Sequence, residues 1–141
     1  MSQLQNMLMK PLVAVAPDDT LALAVELMER EKVGAVVVVQ QARPVGIITD
    51  RDIALALGAR GATTDDWVQK YMTCPVTTMR QDEGIYSATQ YMMENALRRV
   101  PVIDGAGNAI GLVSLDDLLI LLSRELNNLA KSVRFELSPA I

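Results

Sequence analysis

Two hydroxyl–carboxylate pairs recur at the same spacing, Thr49 with Asp52 in GIITDRDI and Ser114 with Asp117 in GLVSLDDL. A carboxylate three residues into a helix can accept two hydrogen bonds from a cis-diol, and the unpaired amides of the first helical turn can receive an anion. The same residues can also serve the helix alone, the hydroxyl capping an early amide and the acid favouring the positive helix end. Either role puts both pairs at helix starts. Other reactive groups are sparse: the single cysteine, Cys74, has no histidine in the chain to pair with, so neither a Cys/His nucleophile nor a Cys/His zinc site can be assembled within it. The acids Asp65, Asp66, Asp82 and Glu83 fall at expected turns and helix starts, and Met28, Met92 and Met93 on expected core-facing helix stripes. Catalysis gathers a base, a nucleophile or a metal around one pocket; this set of acids and hydroxyls points to binding, with no cofactor and no metal required.

The pairs recur because the chain does. At an offset of 64 residues Pro11 meets Pro75, Asp18 meets Asp82, Ala24 meets Ala88, Met28 meets Met92 and Val36 meets Val100; a one-residue longer loop then shifts the offset to 65, where Gly46 meets Gly111, Thr49 meets Ser114 and Asp52 meets Asp117. This is an internal duplication. Within each copy the apolar period changes in the same order. The first predicts a strand over 12–16, a helix from Leu21 to near Lys32, a central strand at VVVVQ covered on both faces, a hairpin partner over 45–48 and a helix from Thr49. The second predicts a strand over 76–79, a helix over 85–96, strands over 100–104 and 110–113, and a helix from Leu115. A leading helix is expected before each first strand, the second near Asp65 behind a Thr63 or Thr64 cap. The units run over 4–57 and 67–127, joined by a Gly-containing surface linker at 58–66 and followed by an extension over 128–141 that begins as helix.

Composition fits a core of aliphatic residues. Of the 141 residues half are hydrophobic but only 4% aromatic, so Val, Leu, Ile, Ala and Met must fill the interior. A formal charge of −4 argues against nucleic acid or anionic lipid as partners, which recruit a net basic face. The amino terminus lacks the features of a secretory signal, one cysteine cannot form an internal disulfide, and no apolar run reaches the roughly 20 residues that span a bilayer. The expectation is a soluble cytoplasmic protein.

The duplicated strand-helix-strand-strand-helix unit resembles the cystathionine β-synthase (CBS) domain. The specific string is Gly, two aliphatics, Thr or Ser, two variable residues, Asp and an aliphatic, present at 46–53 and 111–118, with VPVID at 100–104 also fitting. The resemblance covers nearly the whole chain and implies an α/β (α+β) tandem CBS pair, its two repeats related by a pseudo-twofold axis and packed through their sheets, with two clefts between them. It implies that the clefts bind an adenosine compound: AMP, ADP, ATP or S-adenosylmethionine. The motif Asp would hold ribose hydroxyls and the Thr or Ser would fix ribose or phosphate, which gives Asp52 and Thr49 to one cleft and Asp117 and Ser114 to the other. The short strands carrying Val13 and Val15, and Val76 and Thr78, would supply the slot for adenine.

Family members often place basic residues before the VPV strand to contact phosphates, a role that falls here to Arg98 and Arg99; the alternative for an arginine pair at such a connection is a solvated edge. The first copy has Gly34 and Ala35 there. Since related pairs can send this residue across the pseudo-twofold, the Asp52 cleft is expected to gain the arginines, with Arg51 nearby, and the Asp117 cleft to face uncharged residues. The resemblance implies a regulatory, non-catalytic module, free-standing, that reports nucleotide occupancy to a partner protein; a ligand-free interaction module is the alternative. A homodimer is expected because Leu118, Leu119, Leu121, Leu122, Leu126 and Leu129 put more apolar surface on the last helix than one small core consumes.

Overall fold

The computed structural model describes residues 10–137, with side-chain environments through residue 134. In chain order the elements are β1 (Lys10–Pro11), β2 (Ala14–Val15), α1 (Leu21–Glu31), β3 (Ala35–Gln40), β4 (Arg43–Thr49), α2 (Asp50–Ala59), a 3-10 turn (Val68–Lys70), β5 (Met79–Arg80), α3 (Ile85–Glu94), β6 (Arg99–Ile103), β7 (Ala109–Ser114) and α4 (Leu115–Leu137). One sheet has the order β2-β3-β4 and the other β1-β7-β6-β5. In each copy the short first strand runs parallel to the central one, and the central strand turns back as an antiparallel hairpin.

The duplication holds down to single positions. Val15 pairs with Val38 as Met79 pairs with Val102, and the hairpins slip register at equivalent points, between Val38 and Val39 and between Val102 and Ile103. Both first helices stop at a left-handed residue, Lys32 at φ 56° and Ala96 at φ 54°, after which Val33 N–H donates to Met28 O and Leu97 N–H to Met92 O. This turn ends α3 at Glu94, short of the expected residue 96.

The two cores are copies as well. Val15, Leu21, Ala24, Met28, Val36, Val38, Ile48 and Ile53 form the first, and their repeat partners Met79, Ile85, Ala88, Met92, Val100, Val102, Val113 and Leu118 form the second. Each large aliphatic buried in this way contributes about 1.5–3 kcal/mol of transfer free energy. Strand side chains alternate between faces, so Val37 and Ile47 lie on the face of the first sheet turned away from this core. Both are buried there, because the two units pack through their sheets.

The chain is exchanged between the units. Lys10–Pro11 pairs with Leu112 and Gly111 of β7, and Thr73 forms a two-bond bridge with Ile47 of β4. Residues 68–72 stay with the first unit: Val68 is fully buried in the first core, where Tyr71 and Met72 also pack. The hairpin ends meet too, Ala109 N–H donating to Ala42 O at 2.8 Å.

Several expected elements come out shorter. The strand expected over 12–16 keeps ladder pairing only at Ala14–Val15, and the one over 76–79 shifts to Met79–Arg80; Val13 packs against the first core outside the ladder, and Leu12 is exposed. Of the two leading helices, the start of the first lies outside the described residues, and the second is only the 3-10 turn Val68–Lys70. The proposed threonine cap there is reversed: Thr63 N–H donates to Asp66 Oδ2 at 3.0 Å. That backbone bond is the chief cause holding the partly exposed Asp66 carboxyl below its ordinary value. On α4, Leu118 is fully buried and Leu121 and Leu122 pack against the second core, so the surplus apolar surface is carried by Leu119, Ile120, Leu126, Leu129 and Val133.

Gly46 of the recurring motif has a steric reason. A Cβ there would stand 2.5 Å from Met72 Sδ and 3.0 Å from the Thr73 carbonyl oxygen, where the exchanged segment crosses β4. Gly58, in α2, has nothing within 4 Å of the same added atom. Gly46→Ala should therefore destabilise the protein by about 1–3 kcal/mol, whereas Gly58→Ala should stabilise it by up to about 1 kcal/mol. Urea unfolding of the two variants checks the opposite signs.

Candidate functional site

Both hairpins carry their last residue into a helix start. Asp50 N–H donates to Gly34 O at 2.9 Å and Leu115 N–H to Arg98 O at 2.7 Å, so the residue before each central strand is tied to the first turn of the following helix. In the same register Ala35 pairs with Thr49 and Arg99 with Ser114. The duplication thus builds two equivalent corners, and their side chains differ.

At the first corner the local groups use one another. Thr49 Oγ1 accepts from Asp52 N–H at 3.1 Å and Asp52 Oδ2 accepts from Thr49 N–H at 3.0 Å, a complete capping box. Arg51 N–H donates to Asp50 Oδ1 at 2.8 Å. The first three amides of α2 are therefore occupied within the protein, against the expectation that they stand open to an anion. Arg51 itself is exposed.

At the second corner the box is half made. Ser114 Oγ accepts from Asp117 N–H at 3.1 Å, but Asp117 Oδ2 is buried and, among the described residues, receives no hydrogen bond. Lys10 Nζ of β1 stands 3.2 Å away, within ion-pair range but not aligned to donate. A buried acceptor without a donor costs about 1–3 kcal/mol, and this one faces a cavity of about 230 Å³.

Five regions of the chain wall that cavity. Lys10 comes from β1, Lys32, Val33, Gly34 and Ala35 from the turn between α1 and β3, Arg98 and Arg99 from the start of β6, Leu112 and Ser114 from β7, and Asp116 and Asp117 from α4. Arg99 crosses the boundary between the units, its Nη2 lying 3.6 Å from where a Cβ on Gly34 would be, with Asp50 Oδ2 3.2 Å from that point. A side chain at residue 34 would crowd Asp50 before it touched Arg99. Four cationic side chains against two carboxylates make the cavity locally positive in a chain whose net charge is −4.

The structure thus brings together Ser114, Asp117, Arg98 and Arg99. The expectation puts the arginines at the Asp52 cleft and Asp117 opposite Gly34 and Ala35; this cavity holds Arg98, Arg99, Gly34, Ala35 and Asp117 together, while Arg99 also reaches toward Gly34 beside Asp50 of the first unit. The cause is the hairpin register, which makes Arg99 the cross-strand partner of Ser114. Thr49, Arg51 and Asp52 lie at the α2 corner and do not line this cavity. Neither do Val13, Val15, Val76 and Thr78: Val15 is buried in the first core, Val13 packs against that core, and Val76 and Thr78 precede β5 as partly exposed, non-ladder residues. Lys10 and Lys32 are the residues the sequence reading missed. A lysine before the first strand has no counterpart in the second copy, where Cys74 stands, so the repeat gave it no emphasis.

The sequence profile of the CBS domain matches residues 4–59 and again 68–124. The chain belongs to the CBS domain family. It is 32% identical over 120 residues to the CBS domain-containing protein YhcV of Bacillus subtilis, covering 85% of each chain. Among solved structures, the CBS domain pair of protein MJ0100, in complex with 5′-methylthioadenosine and S-adenosyl-L-methionine, superposes with a TM-score of 0.77 at 24% identity, over 88% of this chain and 98% of that one. The CBS domain protein PAE2072 of Pyrobaculum aerophilum, complexed with AMP, gives a TM-score of 0.75 at 22% identity over 87% and 99%. The CBS fold of this chain is therefore that of a domain pair. Among its described residues, no helix is long and apolar enough to cross a membrane.

The two corners should respond differently to loss of their acids. Asp52→Ala keeps the Thr49 cap but removes the half of the box in which the Asp52 carboxylate accepts from Thr49 N–H, and should lower stability by about 1 kcal/mol. Asp117→Ala removes a partly exposed ion pair, worth about 0–1 kcal/mol, together with a buried acceptor whose lack of a donor costs about 1–3 kcal/mol, and should leave stability unchanged or raise it. Chemical denaturation of both variants measures the contrast.

Proposed function

We propose that this CBS pair is a regulatory module that binds an adenosine nucleotide in the cavity between its units and passes the occupancy to another protein. The observation that carries the reading is the Asp117 carboxylate at the start of α4, on a cation-lined cavity, with a buried oxygen that among the described residues has an ion-pair neighbour, Lys10, but no hydrogen bond. A ribose cis-diol supplies two donors to such a carboxylate. Ser114 sits beside it, and Arg98 and Arg99 offer guanidinium groups to phosphate.

Within the adenosine compounds, the charge favours a phosphorylated ligand over S-adenosylmethionine, whose sulfonium would face four cations. Size favours a mononucleotide over ADP, ATP or NAD. The cavity, at about 230 Å³, is below the roughly 300–1,000 Å³ of sites that enclose a drug-sized ligand, so even AMP requires the exposed Lys10 and arginine side chains to move aside. Thr49, Arg51 and Asp52 form the corresponding second site, a weaker one because the cap has taken one Asp52 oxygen; Val13, Val15, Val76 and Thr78 are the proposed neighbours of the adenines. No catalytic step belongs to this reading. Signalling follows if the nucleotide binds two arrangements of the paired units unequally.

The proposal includes a homodimer, in a cytoplasmic setting. Leu119, Leu126 and Val133, with Leu122 and Leu129, repeat on α4 at alternating steps of three and four, the spacing of a helix–helix seam. All but Leu122 are among the exposed large apolar side chains. A second reading, a ligand-free interaction module, draws on this same stripe.

Titration calorimetry with AMP, ADP, ATP, NAD and S-adenosylmethionine separates the readings. AMP should bind most tightly, and Asp117→Ala should weaken it by about 1.5–3 kcal/mol. If none of the five binds at millimolar concentration, the interaction module is the correct reading. Light scattering should return twice the 15.4 kDa chain mass; the single-chain mass at tens of micromolar protein would rule out the dimer.

A further inference from the structure

Lys10 connects three features that the nucleotide reading leaves separate. It belongs to the two-residue strand β1, which pairs Lys10 with Leu112 and Pro11 with Gly111 of the opposite unit. Its Nζ is 3.2 Å from Asp117 Oδ2, and its side chain is 54% exposed while that of Asp117 is 25% exposed. It also lines the same cavity as Arg98 and Arg99. An ammonium on a flexible four-carbon stem can swing between partners at little cost, unlike a guanidinium fixed by a bidentate contact.

We propose that Lys10 is a phosphate-responsive latch: in the empty cavity it neutralises Asp117 and occupies the approach to the carboxylate, and on binding of a phosphorylated nucleoside it transfers to the phosphate and leaves Asp117 to the ribose. The inference rests on the reading of the cavity as a nucleotide site, and adds a selection rule to it. A neutral nucleoside must displace Lys10 from Asp117 and gives the ammonium nothing in return. A nucleotide returns a stronger partner, because a phosphate carries more charge than a carboxylate and the bond to it is charge-assisted. The latch thus discriminates against adenosine by a cost that AMP does not incur. Since Lys10 sits in the exchanged strand, its change of partner also reaches the contact between the units.

The latch has a signature that a plain phosphate contact lacks. Arg99→Ala removes a phosphate contact and should weaken AMP about tenfold while leaving adenosine unchanged. Lys10→Met keeps the aliphatic stem and removes the charge; it should weaken AMP by a similar factor and tighten adenosine several-fold, because nothing competes for Asp117. Calorimetric titration of AMP and adenosine into wild type, Lys10→Met and Arg99→Ala reads both effects. Opposite shifts of the two ligands in Lys10→Met, or adenosine binding that appears only in that variant, support the latch. Unchanged adenosine affinity in Lys10→Met overturns it while leaving the nucleotide site standing if AMP still binds the wild type. Absence of binding of either ligand to all three proteins overturns the nucleotide reading, and the latch with it.

Discussion

The register of the β6–β7 hairpin decides where the chemistry of this protein lies. It sets Arg99 opposite Ser114, and with Leu115 N–H donating to Arg98 O it brings a cationic pair against the first turn of α4. A slip of one residue would turn every side chain of a strand to the other face, driving Arg99 toward the second core and taking out of it Val100 and Val102, both now fully buried there. Register and core thus enforce each other. The irregularity between Val102 and Ile103 absorbs the mismatch at the far end of the hairpin, away from the site.

The same constraint acts in the first unit with a different outcome, because identical backbones carry different residues. Ala35 and Gly34 stand where the second unit has Arg99 and Arg98, and Asp52 closes a capping box that Asp117 leaves half open. One copy's corner is therefore chiefly a helix start; the other's is a helix start that also presents a carboxylate to a positive cavity. The exchanged segments, Lys10–Pro11 on β7 and Thr73 on β4, hold the two corners in one body. At Gly34 an added Cβ would press on Asp50 Oδ2 at 3.2 Å and only touch Arg99 Nη2 at 3.6 Å, so the missing side chain spares the α2 start more than it spares the arginine.

Much of this was legible because the duplication multiplies weak signals. Met28 with Met92 and Ile53 with Leu118 are unremarkable singly, yet the paired positions give both cores residue for residue. The recurring hydroxyl and acid likewise marked both helix starts correctly. What failed were features that apolar pattern does not encode. The run 12–16 is apolar because Val13 and Val15 face the first core, and its ladder is only two residues long. Leu118 looked available for an interface but is the repeat partner of buried Ile53. That Arg99 stands opposite Ser114 depends on register, which residue spacing does not give, and Lys10 has no repeat partner to draw attention to it. Family resemblance named the motif, and the sequence already set Arg98-Arg99 against Gly34-Ala35; the half-open box at Asp117 appeared only in the geometry.

The central claim is that a nucleotide engages the corner formed by Arg99, Ser114 and Asp117. A heteronuclear NMR titration with AMP, following backbone amides, tests it most directly. The account predicts the largest saturable shifts at Gly34, Arg99, Ser114 and Asp117, with smaller or later changes at Thr49 and Asp52. Shifts centred instead on the α2 corner, or on the surface around Trp67 and Lys70, would contradict it.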